Sequence, residues 1–263
     1  MQARLLPAAR GAYWIAAGFN LYRRNPPLLT MLTLAYLLLV VAFGQLQPVG
    51  PFLLPLLLPT LTVLIANGCR ALDQGLKVPR SVLGLGLREQ YGALLRLGGL
   101  HLFGTLLILV LDMLLPNGDS SMLMAGQDEA AATANPIEEA ELLWHMLRLL
   151  LIALPVLLAF WFAPLLTAWD GVPAVKSLFF SLIAVWRNWR AFLVYALTAL
   201  LVGVILPGLL LLFSSLISKS LVEVISVALR MLLLMVFAPV LMTGIYQSYR
   251  DVFATIPAPK PDA

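Results

Sequence analysis

Cysteine occurs once in this chain of 263 residues, at Cys69, which rules out an internal disulfide and any cysteine cluster around a metal. Charge is scarce too: Asp, Glu, Lys and Arg make up 11% of the residues, where a soluble domain carries about a quarter. With 61% hydrophobic residues and a mean hydropathy of +0.94, the chain has too few polar groups to cover itself in water. Also missing are the G-x-S-x-G elbow, the phosphate-binding loop, the dinucleotide fingerprint and the zinc-protease helix. Neither of the two histidines, His101 and His145, has a serine nearby in sequence for hydrolase chemistry. These absences point away from an enzyme. The net charge of +4 suggests no nucleic-acid surface, because the basic residues stand at the ends of apolar runs, where they read as topology signals.

The apolar runs are what the chain has in abundance. A bilayer span needs roughly 20 mostly apolar residues, and six segments qualify: Pro26–Gln45, Pro51–Asn67, Ala93–Leu115, Leu142–Trp169, Ala191–Ser218 and Val222–Tyr246. The first is as long as a span and is followed by others, so it reads as an uncleaved anchor rather than a signal peptide. Lys and Arg divide unevenly between the two sides. Four precede the first span (Arg4, Arg10, Arg23, Arg24), and five lie between spans two and three (Arg70, Lys77, Arg80, Arg88, Arg96). Three more join spans four and five (Lys176, Arg187, Arg190), and two follow the last span (Arg250, Lys260). The other side holds Lys219 alone, together with the acidic loop 116–140. Positive-inside then predicts cytoplasmic N- and C-termini, a periplasmic loop 116–140 and a short cytoplasmic tail 254–263 in a bacterial inner membrane.

Before each odd-numbered span stands a segment that begins with proline and ends near an aromatic: "PAARGAYWIAAGFNLYRRN", "PRSVLGLGLREQYG" and "PAVKSLFFSLIAVWRNW". Helical spacing sorts the third into Lys176, Ser177, Ser181, Ala184, Arg187 and Asn188 against Leu178, Leu182, Val185, Trp186 and Trp189. The first sorts Trp14, Ile15, Phe19 and Tyr22 against Arg10, Arg23 and Arg24, whereas Glu89 blurs the second. Such sorting predicts helices lying in the cytoplasmic interface, anchored by Trp14, Tyr22, Arg23, Arg24, Trp186, Arg187, Trp189 and Arg190. Each even-numbered span carries a proline before its exit: Pro59, Pro164 and Pro239. An amide follows Pro59 and Pro239 by eight residues (Asn67, Gln247) and an arginine by eleven (Arg70, Arg250). The prediction is one all-α transmembrane domain over 1–263, with three parallel two-helix repeats at about 7–73, 79–170 and 173–251.

Arg148 and Arg230 fall inside spans, where an arginine is costly unless it is paired, faces protein or snorkels to the interface. Asp112 ends span three at a similar depth, so an Asp112–Arg148 pair closing the middle hairpin is expected; a substrate anion site and snorkelling are the alternatives. His101 and His145 stand near opposite ends of their spans, and their depths should differ by roughly 10–15 Å. One haem needs both axial nitrogens at one iron, so no cofactor is expected. Glu138, Glu139 and Glu141, with Asp128 and Glu129, lack the fixed spacing of a hard-cation site and read as a solvated loop leading into a helix. Cys69 reads as a buried thiol.

The stretch "FWFAPLLTAWDGVPAVKSLFFSLIAVWRNWRAFLVYAL" resembles a pattern of bacterial polytopic membrane proteins, in the YciC-like group and in the membrane domain attached to some glycerophosphodiester phosphodiesterases. The opening "ARGAYWIAAGFNLYRRNPPLL" is similar to a proteobacterial inner-membrane family of this length. The resemblance implies a structural membrane fold and brings no catalytic residues. The sequence thus leads to a non-enzymatic membrane component that organises lipid or serves as an accessory subunit, with anionic lipids on its cytoplasmic face as partners. A three-repeat transporter of small solutes or lipids is the alternative.

Overall fold

The computed structural model describes residues 3–76, 80–115 and 136–253, and its secondary structure there is helical. The acidic stretch 116–135, the side chains of 136–141 and the tail 254–263 lie outside the described residues, and with them the acidic cluster. In chain order the helices are α1 (Arg10–Tyr22), α2 (Pro26–Gln45), α3 (Gly50–Asp73), α4 (Arg80–Leu83), α5 (Tyr91–Leu114), α6 (Pro136–Phe160) and α7 (Ala163–Asp170). Then come α8 (Ala174–Arg187), α9 (Trp189–Leu200), α10 (Leu206–Ser215), α11 (Lys219–Leu232) and α12 (Ala238–Phe253). Among the described residues, six helical stretches are long and apolar enough to cross a membrane: Pro26–Gln45, Gly50–Asp73, Tyr91–Leu114, Leu142–Asp170, Trp189–Ser215 and Lys219–Phe253. The last has 35 residues, or about 52 Å of helix, well beyond a hydrocarbon core of about 30 Å.

Proline sets where these spans deform. A proline at position i gives no hydrogen bond to the carbonyl at i−4 and crowds it. π-Turns accordingly precede two of them, at Leu201–Ile205 before Pro207 and at Leu233–Phe237 before Pro239. The carbonyl that Pro239 cannot serve belongs to Met235, and it accepts instead from Thr30 Oγ1 (2.9 Å) and Tyr22 Oη (3.1 Å). Before Pro164 the helix breaks altogether, between α6 and α7. Ser181 Oγ bridges that break, accepting from Phe162 N (2.9 Å) and donating to the Leu158 carbonyl (3.0 Å). Without water in the bilayer, such side chains are what let a span bend.

The pairs α2/α3, α5/α6 and α10/α11 are hairpins, and α3 packs additionally on α5, α7 and α12. Helix α1 wedges between α9 and α12. Its contact face is Gly11, Trp14, Gly18 and Leu21, small and large residues alternating so that backbones come close. A Cβ on Gly11 would overlap the Ala191 carbonyl, and one on Gly18 would crowd the Val240 carbonyl and Thr243. This corrects the interfacial assignment of Trp14 and Tyr22: both are buried, Trp14 completely. The residues that α1 presents outward are instead Tyr13 and Phe19.

Two further expectations change. The segment before α5 is helical only at Arg80–Leu83, with turns over 84–90. Gly86 adopts a left-handed φ of 74° there, against the Ala168 carbonyl, and that conformation ends a right-handed helix. In α8 the small polar side, Ser177, Ser181, Ala184 and Asn188, faces the protein rather than water. Ser177 Oγ accepts from Thr167 (2.9 Å) and Ser181 splices the α6–α7 break. The aromatic side, with Phe179 and Trp186, faces outward.

Candidate functional site

The most elaborate polar structure lies at the end of the bundle where the first and last described residues meet. Arg4 N donates to the Val252 carbonyl (3.0 Å). Asn188 holds the same strap, accepting from Leu6 N (2.8 Å) and donating to the Arg4 carbonyl (2.9 Å). Spans two, four and six each finish at this end on or near an aspartate: Asp73, Asp170 and Asp251. Negative charge is unfavourable at a helix C-terminus, so each carboxylate needs a partner, and each takes it from another part of the chain.

Asp73 Oδ2 lies 2.6 Å from Arg250 Nη1 and accepts from Tyr246 Oη (2.8 Å); its other oxygen lies 3.8 Å from Arg24 Nη1. Arg24 also caps α3, donating to the carbonyls of Leu72 and Asp73 (3.1 Å each). Asp251 Oδ2 is held by Arg10 Nη2 (2.6 Å) and by Trp14 Nε1 (2.9 Å). Asp170 accepts from the Tyr249 hydroxyl.

Trp169 joins the three ends. Its ring meets Tyr246 and Tyr249 edge to face, with centroids 6.2 and 5.1 Å away, and Arg70 lies 5.0 Å above it. Its Nε1 donates to Asn67 Oδ1 (2.8 Å), while Asn67 Nδ2 donates to the carbonyls of Leu83 and Leu85 (2.8 Å each). Below it, Val63, Ala66, Leu94, Leu165 and Ala168 close the centre. Gln247, the counterpart of Asn67 after Pro239, is buried, and its Oε1 has no hydrogen-bond partner among the described residues. Cys69 is a free thiol buried in the adjoining core with Leu29, Leu32, Ile65 and Tyr246.

At the opposite end, Arg148 Nη2 lies 3.0 Å from Asp112 Oδ1 and 2.9 Å from His145 Nδ1, and His145 Nε2 lies 4.0 Å from Asp112 Oδ2. The sequence supplied the two charges but not the histidine between them. His101 is elsewhere, edge to face on Phe160 at 4.5 Å. Arg230 is exposed on α11, on one face with Lys219, Glu223 and Ser226. Among the anchor candidates, Arg23, Trp186, Arg187, Trp189 and Arg190 are exposed, with Arg190 5.5 Å from the Trp189 ring. Pro59, Pro164 and Pro239 are all buried.

Sequence reasoning missed Asp73 and Asp251, and it singled out Asn67 and Asn188 by their spacing without finding their partners. An acid at or near the exit of every even-numbered span was the available signal. Their partners, such as Arg10 for Asp251 and Tyr246 for Asp73, lie so far off along the chain that no local pattern joins them.

No family model and no solved structure matches the chain. It is 35% identical over 211 residues, 78% of each chain, to the probable inner membrane protein BTH_II0599 of Burkholderia thailandensis. At that identity and coverage the protein belongs to the family of BTH_II0599, as a multi-pass protein of a bacterial inner membrane.

Proposed function

We propose that the protein is a non-enzymatic component that organises lipid in the inner membrane, built of three parallel two-helix units with both termini cytoplasmic. The observation that carries this is the closed, hydrogen-bonded centre around Trp169, where a solute path would have to run, set against large apolar side chains facing outward on every span. The packing supports the repeats. The segment before each pair of spans seats on the pair preceding it: α4 on α3, α8 on α5–α7, and α1 on α9 and α12, which closes a ring. Exposed aromatic and basic residues of α8 and its junction with α9 suit a leaflet rich in anionic lipid.

Extraction of the protein with its surrounding bilayer in polymer nanodiscs, followed by lipid mass spectrometry, tests this. Anionic phospholipid should exceed its share of the whole membrane. A composition equal to the bulk membrane refutes the proposal. A transporter is the second reading. The observation favouring it is the α10–α11 hairpin, which packs mainly on itself and carries Lys219, Glu223, Ser226 and Arg230 on one face of α11. Solute flux into proteoliposomes above protein-free vesicles would favour it.

A further inference from the structure

A groove of about 610 Å³ runs along the outer side of α2, lined by Tyr22, Pro26, Thr30, Met31, Leu34 and Leu38 among others. Its walls are apolar except for the hydroxyls of Tyr22 and Thr30, 3.3 Å apart at one end. From Pro26 to Leu38 the helix rises about 18 Å, close to the roughly 15 Å of one leaflet's hydrocarbon. The hydroxyl end adjoins the junction of α1 and α2. There Arg23 follows Tyr22, exposed and, among the described residues, without an ion pair or side-chain hydrogen bond. Its neighbour Arg24 is already committed to Asp73 and the end of α3.

We propose that this groove holds one acyl chain of an anionic phospholipid, with its phosphate on Arg23. An apolar groove of one-leaflet length, open to the membrane, suits a hydrocarbon tail; Arg23, exposed and one residue from the lining Tyr22, would select a headgroup with net negative charge. The hydroxyls refine the choice. Tyr22 and Thr30 both donate their protons to the Met235 carbonyl, so their oxygens are left to accept. They suit a headgroup that donates, such as the glycerol of phosphatidylglycerol, rather than the phosphate itself. Lipid in this groove would lie against the contact of α2 with the π-turn of the last span, which the same two hydroxyls hold together. The inference rests on the lipid-organising reading and locates one site for it.

A photoreactive benzoylphenylalanine at Met31, in full-length protein reconstituted into dioleoyl phosphatidylethanolamine with a minor share of dioleoyl phosphatidylglycerol, tests the site. Position 103 is the control, because Phe103 is exposed on α5 away from the groove. Phosphatidylglycerol should make up a severalfold larger share of the adducts at position 31 than of the vesicle, and its vesicle share at position 103. Arg23→Gln, at an exposed position, should return position 31 to the vesicle composition. Ala35→Trp, also on the exposed side of α2, should likewise abolish the phosphatidylglycerol enrichment there by filling the groove. Adducts at position 31 that follow the vesicle composition, or enrichment that survives both changes, would overturn the proposal. If position 31 follows the vesicle while nanodiscs still show anionic excess, this groove is wrong and the broader reading stands; if neither shows excess, both fall.

Discussion

Asp73 is where the closed end of the bundle is most open to test. Three groups converge on it from distant parts of the chain: Arg250 at 2.6 Å, the Tyr246 hydroxyl at 2.8 Å and Arg24 at 3.8 Å. Breaking a fully buried pair costs about 3–5 kcal/mol, whereas exposed pairs contribute about 0–1 kcal/mol. The Asp73 side chain is 19% exposed and that of Arg250 37%, so their pair belongs between those limits, near 2 kcal/mol. Asp73→Asn keeps an acceptor for Tyr246 but leaves two guanidiniums uncompensated. It also removes an unfavourable charge from the C-terminus of α3, which returns about 0.3–1 kcal/mol. The net expectation is a loss of about 1–2 kcal/mol. Asp73→Leu further strands the hydroxyl of Tyr246, a buried residue, adding about 1–3 kcal/mol. Equilibrium unfolding in mixed detergent micelles should therefore rank wild type above Asp73→Asn and that above Asp73→Leu. A double-mutant cycle of Asp73→Ala with Arg250→Ala should give a coupling near 2 kcal/mol. Equal stability of the two single variants, or a coupling near zero, would show that this network does not hold the end of the bundle together.

Three more outcomes follow from the same geometry. Arg148→Ala should lower stability by about 3 kcal/mol by leaving Asp112 without its cation, and Asp112→Leu with Arg148→Leu should regain much of that loss in the same unfolding assay. Gly98→Ala would place a methyl group against the Leu56 backbone where α5 meets α3; overpacking of that kind costs about 1–3 kcal/mol, against almost nothing for Gly99→Ala, which has open space. For topology, a cysteine replacing Ile217, exposed between α10 and α11, should react with a membrane-impermeant maleimide from the periplasm, and one replacing the exposed Trp186 should not; buried Cys69 keeps the background low.

The number of spans was legible because a bilayer demands about twenty apolar residues in a row and little in soluble folding imitates that. Their ends were not. The hydropathy pattern ends span two at Asn67 and span six at Tyr246, yet the helices run on to Asp73 and Phe253. Polarity does not by itself mark exit from the membrane here: Asn67 bonds Trp169 and the carbonyls of Leu83 and Leu85, and Asp73 pairs with Arg250. The same holds for α1. Trp14 and Tyr22 carry aromatic rings with a polar handle, the chemistry of an interface anchor, and here the handles reach Asp251 and Met235 inside the protein. Asp112 and Arg148 lie 3.0 Å apart, and the expectation of a pair rests on two costly charges at one depth on neighbouring spans, a constraint that acts without knowledge of the fold.

The distribution of polar groups also explains why this chain needs its segments outside the spans. Lipid tails are as apolar as leucine, so large side chains facing outward contribute little to holding helices together. What remains is close approach and hydrogen bonding, and both concentrate at the end of the bundle that carries α1, α4 and α8. Gly11 against Ala191, Gly18 against Thr243 and Gly86 against Ala168 supply the close approaches. Ser181, Asn67, Tyr22 and Thr30 serve carbonyls, most of them on neighbouring segments, two of these at places where a proline has opened a span. The outer parts of spans five and six have almost none of this; in Trp189–Ser215 the most apolar stretch has no buried residue. The short segments before the spans therefore act as the fasteners of the bundle. Because each packs on a span of another pair, loss of one should loosen the hairpin it packs on rather than the one it leads into.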